Sequence, residues 1–418
     1  MLYGGVLGLA VVGVLSAGAW NVLPAESLLE GVFILTTAFC VARPNRAGRL
    51  MLVVALAYVA LKTGLMVLRG NSPWLDFIQA YKAYFYLIAL AFFVRRRIFS
   101  GPRLATVVMV LLSACLVKYG YSQVFGMDSR PGVYFENNYE LIMIVGLFYL
   151  AWPYLGRRRA LMLGVLTLVV LLSGSRSGAL ALLLLFVVLI VRRSNRFWPL
   201  HILGFGVVGV AVMTLFASRD PAGVQSIDRY NFLQIFLHEV QHWPLWEFLT
   251  GSYPITPLSP ESCTALSYYD TLFSKTTPGV CYSVILHAYL MRGIFDQGVL
   301  GLGLLYVLVW MALRRSRASM RDAVLLLGIL TISGTSVSAF NNVFAAIMLA
   351  VALGLDRGGD SRTVRGAATT AAPRVLPRYD LTPVGEAPLG DAPPGQAPPT
   401  DRQRSPVVAP AREADPSG

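Results

Sequence analysis

The chain has 418 residues, 56% of them hydrophobic and only 14% charged, with a formal net charge of +13. Soluble domains carry about 25% charged residues, so this composition excludes an ordinary water-soluble globule and points to a membrane-embedded chain. The basic residues stand in short clusters between apolar runs and form no groove with exposed aromatics, which argues against nucleic acid as a partner.

The apolar runs lie near 3–20, 28–43, 50–68, 75–94, 104–122, 138–155, 160–174, 177–192, 198–217, 292–313, 322–336 and 338–355. They predict an all-α polytopic membrane domain over 1–356 with about twelve transmembrane helices. The first run has no basic segment before it and reads as a retained span, not a cleaved signal.

Basic clusters occur at Arg43–Arg49, Arg95–Arg103, Arg157–Arg159, Arg192–Arg196 and Arg314–Arg321. An even number of predicted spans separates each from the next. The positive-inside rule therefore places all five in the cytoplasm together, along with both termini. A long polar segment, 218–291, then falls on the outer face, before the third-last span, and holds three of the four histidines.

In chain order, three lysines interrupt apolar runs: Lys62, Lys82 and Lys118. By helix rise all three fall in the outer half of the bilayer. Two readings apply: each lysine snorkels to the interface, or the three line a positive, outward-opening cavity. Next, Glu136, Asn137, Asn138 and Glu140 crowd the start of the sixth span. Acids and amides suit a helix start, and they also suit sugar hydroxyls.

The turn Leu172-Ser-Gly-Ser-Arg-Ser-Gly178 faces outward, and its Arg176 breaks the positive-inside pattern. An arginine among serines and glycines either caps the helix or grips an anion, for which the guanidinium fork is suited. The polar segment opens at Ser218-Arg219-Asp220-Pro221 and continues into a predicted helix from Asp228 and Arg229. In that helix Phe232, Ile235, Phe236, Glu239 and Val240 mark one largely apolar face. His238 and His242 stand four residues apart, but no third ligand has useful spacing, so no metal site is assigned.

Cys263 and Cys281 share this segment and form a disulfide if the compartment is oxidising, or else remain two thiols. Cys40 and Cys115 lie in apolar runs and read as core residues. His287 stands at the entrance of the next span, suited by residue type to take a proton near neutral pH. Arg292 and Asp296 follow, one helical turn apart and able to pair. Residues 357–418 contain 11 of the 24 prolines and few large apolar residues, the composition of a disordered tail.

Three segments together resemble the O-antigen ligase and polymerase superfamily of bacterial envelope glycosyltransferases. They are the Ser-Arg-Ser-Gly turn at 175–178, the Arg229 segment running to Pro244–Gly251, and His287-Ala-Tyr-Leu with Gly298-Val-Leu-Gly301. The likeness covers about residues 130–313. It departs at Ala288, where family members commonly carry asparagine after the histidine.

The resemblance implies a GT-C-type fold in the bacterial inner membrane with a periplasmic active site. It implies a glycan donor linked to undecaprenyl pyrophosphate, and no metal, nucleotide sugar or other cofactor. Arg176 and Arg229 grip the pyrophosphate on this reading, and His287 deprotonates or orients the acceptor hydroxyl. Lys62, Lys82, Lys118, Glu136, Asn137, Asn138 and Arg292 form the substrate surround. The partners implied are the lipid-linked glycan, membrane lipids, and flippase and chain-length regulator proteins. Polymerase is preferred to ligase because the histidine–asparagine pair is missing. A transporter or flippase of lipid-linked glycan is the rival from another class, and a membrane scaffold is a third reading.

Overall fold

The computed structural model describes residues 1–40, 44–70, 73–126, 130–190 and 228–357, with short helical pieces between 199 and 214. Its helices are α1 (Leu2–Leu15), α2 (Ala25–Cys40), α3 (Arg46–Leu68), α4 (Trp74–Ala80), α5 (Lys82–Leu90), α6 (Gly101–Val124), α7 (Asn137–Ala151), α8 (Arg159–Ser173) and α9 (Arg176–Ile190). After these come α10 (Asp228–Val240), α11 (Leu245–Thr250), α12 (Pro260–Ala265), α13 (Tyr289–Arg315), α14 (Met320–Gly334) and α15 (Val343–Gly354). Among the described residues there is no strand, only the isolated bridges Phe99–Leu355 and Pro257–Tyr282. Arg43, the Arg192–Arg196 cluster, Arg219, Asp220 and the tail beyond Arg357 lie outside the described residues.

Composition and capping explain the long helices. Helix α3 has 23 residues with mean hydropathy 2.2. Its start is capped by Asn45, whose side chain accepts from the Gly48 N–H at 2.8 Å. Helix α6 opens with Pro102 in its first turn, where a missing N–H costs nothing. Only 22% of the apolar stretch of α3 is buried. Leu50, Val53, Leu56 and Leu61 point outward from it. A ring of exposed leucine and valine is unfavourable in water and natural in lipid.

The core lies around α7 and α15. Every residue of α15 is buried, and so is nearly all of α7. They approach closely at Gly146, where an added Cβ would stand 2.1 Å from the Met348 sulfur. Helices α6, α9 and α14 pack round this pair. One end of the bundle carries the starts of α7, α9, α13 and α15 and the segment before α13; we call it the loop end. The other carries most of the described arginine clusters.

The expectation of about twelve spans is corrected here. Among the described residues, three helices are long and apolar enough to cross a membrane: α3, α6 and α13. Several runs read as spans fold into shorter helices: α1 has 14 residues, α7, α8, α9 and α14 have 15 each, and α15 has 12. A straight crossing takes at least about 17. The run at 75–94 breaks into α4 and α5 at Tyr81. The run at 198–217 lies largely outside the described residues.

The break at Tyr81 is stabilised from α15's side of the bundle. The Asn341 amide donates to the Gln79 and Ala80 carbonyls at 3.0 and 3.1 Å, and its oxygen accepts from the Ala83 N–H at 2.8 Å. One asparagine thus satisfies both ends of the interruption, which a discontinuous helix in an apolar surround requires.

Candidate functional site

Two sequence-distant polar motifs meet at the loop end. Helix α8 stops at Gly174, which takes the left-handed conformation (φ 60°) common at helix ends. Ser175 then caps α9, its Oγ accepting from the Gly178 N–H at 3.0 Å. The same hydroxyl donates to Asn138 Oδ1 at 2.6 Å, at the start of α7. Asn138 donates in turn to Glu136 Oε1 at 2.5 Å, and Asn137 donates to the Ser173 carbonyl at 2.7 Å. Glu136, Asn137, Asn138 and the turn holding Arg176 therefore form one cluster.

Arg176 is half-buried and occupies the first turn of α9. A cation there opposes the helix dipole, which favours anions at that end. The helix-start capping is carried by Ser175.

Glu140, from the same sequence cluster, does something else. It is fully buried and accepts from the Val133 N–H at 3.0 Å, the Tyr134 N–H at 2.9 Å and the Tyr119 hydroxyl. It pins the segment before α7 against α6.

The three lysines each have a different set of partners. Lys118 is buried and donates to the Ser16 and Gly18 carbonyls at 2.7 and 2.6 Å, just past the end of α1. Lys62 is buried and donates to the Thr250 and Asp296 carbonyls at 3.2 and 3.0 Å. Lys82 pairs with Glu30 and stands 3.6 Å from Glu26, with all three side chains about a quarter to a third exposed. Lys62 and Lys118 satisfy backbone oxygens that a helix end or break leaves over; Lys82 neutralises an acidic pair on α2.

Helix α13 is kinked at Gly298 (φ 70°), where an added Cβ would stand 2.2 Å from the Leu249 carbonyl. The kink lets the chain after α11 lie against it, with the Ser252 N–H donating to the Phe295 carbonyl at 2.7 Å. The Asp296 carbonyl accepts from both Lys62 and Tyr81, each at 3.0 Å. Its carboxylate accepts from Ser283 Oγ at 2.6 Å and faces Arg292 at 3.5 Å. Arg292 also donates to the Gln79 carbonyl at 2.5 Å. Arg292 thus ties α13 to the α4–α5 break and is 3% exposed, so the structure gives it a scaffold position.

The segment before α13 has a small core of its own, in which Phe232 and Phe236 pack with Leu266 and Ile285. Cys263 and Cys281 are joined by a disulfide within it, with Cα atoms 5.6 Å apart. Phe232, Phe236 and Val240 form the buried face of α10, while Glu239 accepts from Ser259 and Ser262. His238 turns away from this core toward Glu261, at 4.0 Å.

His287 is half-buried between aromatics, with ring centroids 6.0 Å from Phe232 and 5.5 Å from Tyr269. Arg229 lies one helical turn before Phe232 on α10, hence on the same side as the residue that touches His287. Ser338 connects this group to the first cluster. Its hydroxyl donates to the His287 carbonyl at 3.4 Å, and the Tyr139 hydroxyl, next to Asn138 in sequence, lies against it. The Tyr289 N–H donates to the Val337 carbonyl at 3.2 Å, fixing the start of α13 on the same strap.

A path of contacts and chain neighbours runs from Ser175 through Asn138 and Tyr139 to Ser338, whose hydroxyl meets the backbone carbonyl of His287, and the His287 ring packs on Phe232 of α10. Sequence reasoning missed Ser338, Asn341 and the acids Glu26 and Glu30. A signal existed: Thr335-Ser-Val-Ser-Ala-Phe-Asn-Asn342 is a polar interruption between two apolar runs. The cavity of about 720 Å³ lined by Tyr149, Trp152, Arg317 and Asp322 stands at the opposite end of α7 and includes none of these residues. No protein-family model, curated protein or solved structure matches this chain.

Proposed function

We propose that this chain is a membrane glycosyltransferase related to the O-antigen ligases and polymerases. On this reading it polymerises undecaprenyl-pyrophosphate-linked repeat units at the periplasmic face of a bacterial inner membrane. The observation that carries the reading is the path at the loop end from the turn at 175–178, through Asn138, Tyr139 and Ser338, to the His287 carbonyl. That path runs through amides and hydroxyls, and it links two of the segments that carry the resemblance; Phe232, three residues after Arg229, packs on the His287 ring.

The chemistry is as follows. Arg176 and Arg229 bind the donor pyrophosphate. His287 takes the proton from an acceptor hydroxyl as that oxygen attacks the anomeric carbon of the donor sugar. The bond from that carbon to the phosphate oxygen breaks, and undecaprenyl pyrophosphate leaves with its charge facing the guanidinium groups. Pyrophosphate is a fair leaving group, so positioning and charge stabilisation supply most of the acceleration. The topology proposed puts the arginine end and both termini in the cytoplasm. The shorter apolar helices and the broken pair α4 and α5 contribute to the crossing, with α15 wholly enclosed by its neighbours. Flippase and chain-length regulator proteins are the expected partners.

The test is genetic and chemical. Arg176→Ala and His287→Ala should each abolish glycan extension, read on gels of lipid A–core and of secreted polysaccharide, with protein levels unchanged. Glycan stopped at one repeat unit identifies a polymerase; full-length polymer that never reaches lipid A–core identifies a ligase. Full activity in both variants sinks the catalytic assignment.

One observation favours the transporter reading: two helix interruptions, at Tyr81 and Gly298, flank the buried charges Lys62, Arg292 and Asp296. Discontinuous helices with buried charge are common in transport proteins. Here Arg292 and Asp296 face each other at 3.5 Å, and Lys62 and Arg292 donate to carbonyls at the interruptions. A transporter would instead lose substrate flux in reconstituted vesicles, with no change in glycosidic bond formation, on replacement of Arg292 or Asp296.

A further inference from the structure

We propose that the arginine end of the bundle holds a binding site for a phosphate-bearing anion, supplied by the headgroup of an anionic phospholipid. A cavity of about 220 Å³ there is lined by eight residues, five of which are arginines: Arg95, Arg96, Arg97, Arg317 and Arg357. No carboxylate is among them. Drug-sized ligands occupy about 300–1,000 Å³, so this volume suits a small charged group.

Three connecting segments build the site. The α5–α6 connector lies along the exit of α15: the Ile98 and Phe99 N–H groups donate to the Gly354 carbonyl at 2.9 and 3.0 Å. The Arg95 N–H donates to Ser316 Oγ at 2.9 Å, bringing in the α13–α14 turn. Arg357 closes the ring, donating through Nη1 to the Ser316 and Ala352 carbonyls at 3.1 and 2.8 Å. Its Nη2 is buried and meets no acceptor among the described residues.

Topology signalling alone does not require this arrangement. A positive-inside cluster works from any solvated loop. Here the arginines converge, and two hold a backbone conformation that side chains disfavour. Among described residues only three non-glycine positions have positive φ; Arg95 (58°) and Arg317 (63°) are two of them, and both line the cavity. Two acids stand near the rim: Asp356 lies 3.6 Å from Arg97, and Asp322, which caps α14 and accepts from Tyr149, lies 3.9 Å from Arg357, so the five arginines still outnumber the carboxylates beside them. A phosphate group accepts from several guanidinium groups at once, and basic pockets between membrane helices are suited to anionic headgroups.

The experiment uses the purified full chain in detergent, with phosphatidylglycerol and phosphatidylcholine as probes and native mass spectrometry as the readout. The expected result is retention of phosphatidylglycerol and not of phosphatidylcholine. Arg95→Asn with Arg317→Asn keeps residues tolerant of positive φ and should weaken phosphatidylglycerol binding about tenfold or more. The pair Arg157→Gln and Arg158→Gln, basic but outside the cavity, should leave it unchanged. If the first pair does not fold, Arg96→Gln with Arg97→Gln reads the same site without touching either strained position. Inorganic pyrophosphate is the competitor. Displacement of the lipid shows that a free phosphate anion also fits, and no displacement shows that the anchored headgroup is the ligand. Binding unaffected by the cavity variants, or reduced equally by the control pair, overturns the proposal.

Discussion

The Ser175 hydroxyl both accepts the Gly178 N–H and donates to Asn138, so one side chain caps α9 and fastens it to α7. Arg176 owes its placement to that fastening. Ser175→Ala should cost about 1 kcal/mol of stability as a lost cap, seen as a lower unfolding temperature in detergent. It should also lower glycan extension by more than the stability loss explains, because Arg176 moves off its register. Ser175→Thr, which keeps the hydroxyl, should restore most of both. Normal activity in the alanine variant would separate Arg176 from the Asn138 cluster.

Lys62 is bound to two backbone carbonyls at the kink of α13 and the end of α11. Lys62→Met removes the donors and keeps the aliphatic stem. It should destabilise the chain by about 1 kcal/mol, the net worth of the lost hydrogen bonds, since the Asp296 carbonyl keeps Tyr81 as a donor. A substrate-binding lysine would behave differently, raising KM while the unfolding temperature stays put. Thermal unfolding and kinetics on the same preparation decide between them.

Gly298 needs its left-handed backbone and its missing Cβ. Gly298→Ala places a methyl group 2.2 Å from the Leu249 carbonyl, so the segment after α11 must move away. The expected cost is about 1–3 kcal/mol from the conformation alone, with more from the clash. Limited proteolysis should cut between 245 and 260 faster in this variant. An unchanged cleavage pattern would mean that the kink does not hold the segment.

The Cys263–Cys281 disulfide closes a loop with a sequence separation of 18. By loop entropy such a link stabilises the segment by about 3 kcal/mol. Cys263→Ser with Cys281→Ser should therefore loosen the packing of Phe232 and Tyr269 around His287. We expect faster hydrogen exchange over 260–287 and weaker glycan extension, with the membrane helices unaffected. Equal exchange in both forms would show that the small apolar core suffices.

Much of this protein is determined by its sequence alone. Hydropathy marks the helices, since apolar runs cannot stay in water. The period of Phe232, Phe236 and Val240 marks the buried face of α10. The turn at 175–178 announces itself through an arginine among small polar residues. Helix length was less legible: the apolar runs became helices of 7 to 27 residues, because a tyrosine break or a glycine kink depends on what satisfies the opened backbone. Asn341 does this for α4 and α5 from 258 residues away from Ala83.

Only the tertiary structure decided what the charges do. Lys62, Lys82 and Lys118 look alike in the sequence, each a cation in an apolar run. An ammonium on a flexible stem reaches a cavity, a carboxylate or a spare carbonyl with equal ease. The choice falls to whichever partner the fold leaves unsatisfied nearby: a kinked helix for Lys62, an acidic pair for Lys82, the end of α1 for Lys118. The same holds for the link from the turn at 175–178 to the His287 backbone, which runs through Ser338: the polar interruption at 335–342 marks that residue without saying which segments it meets.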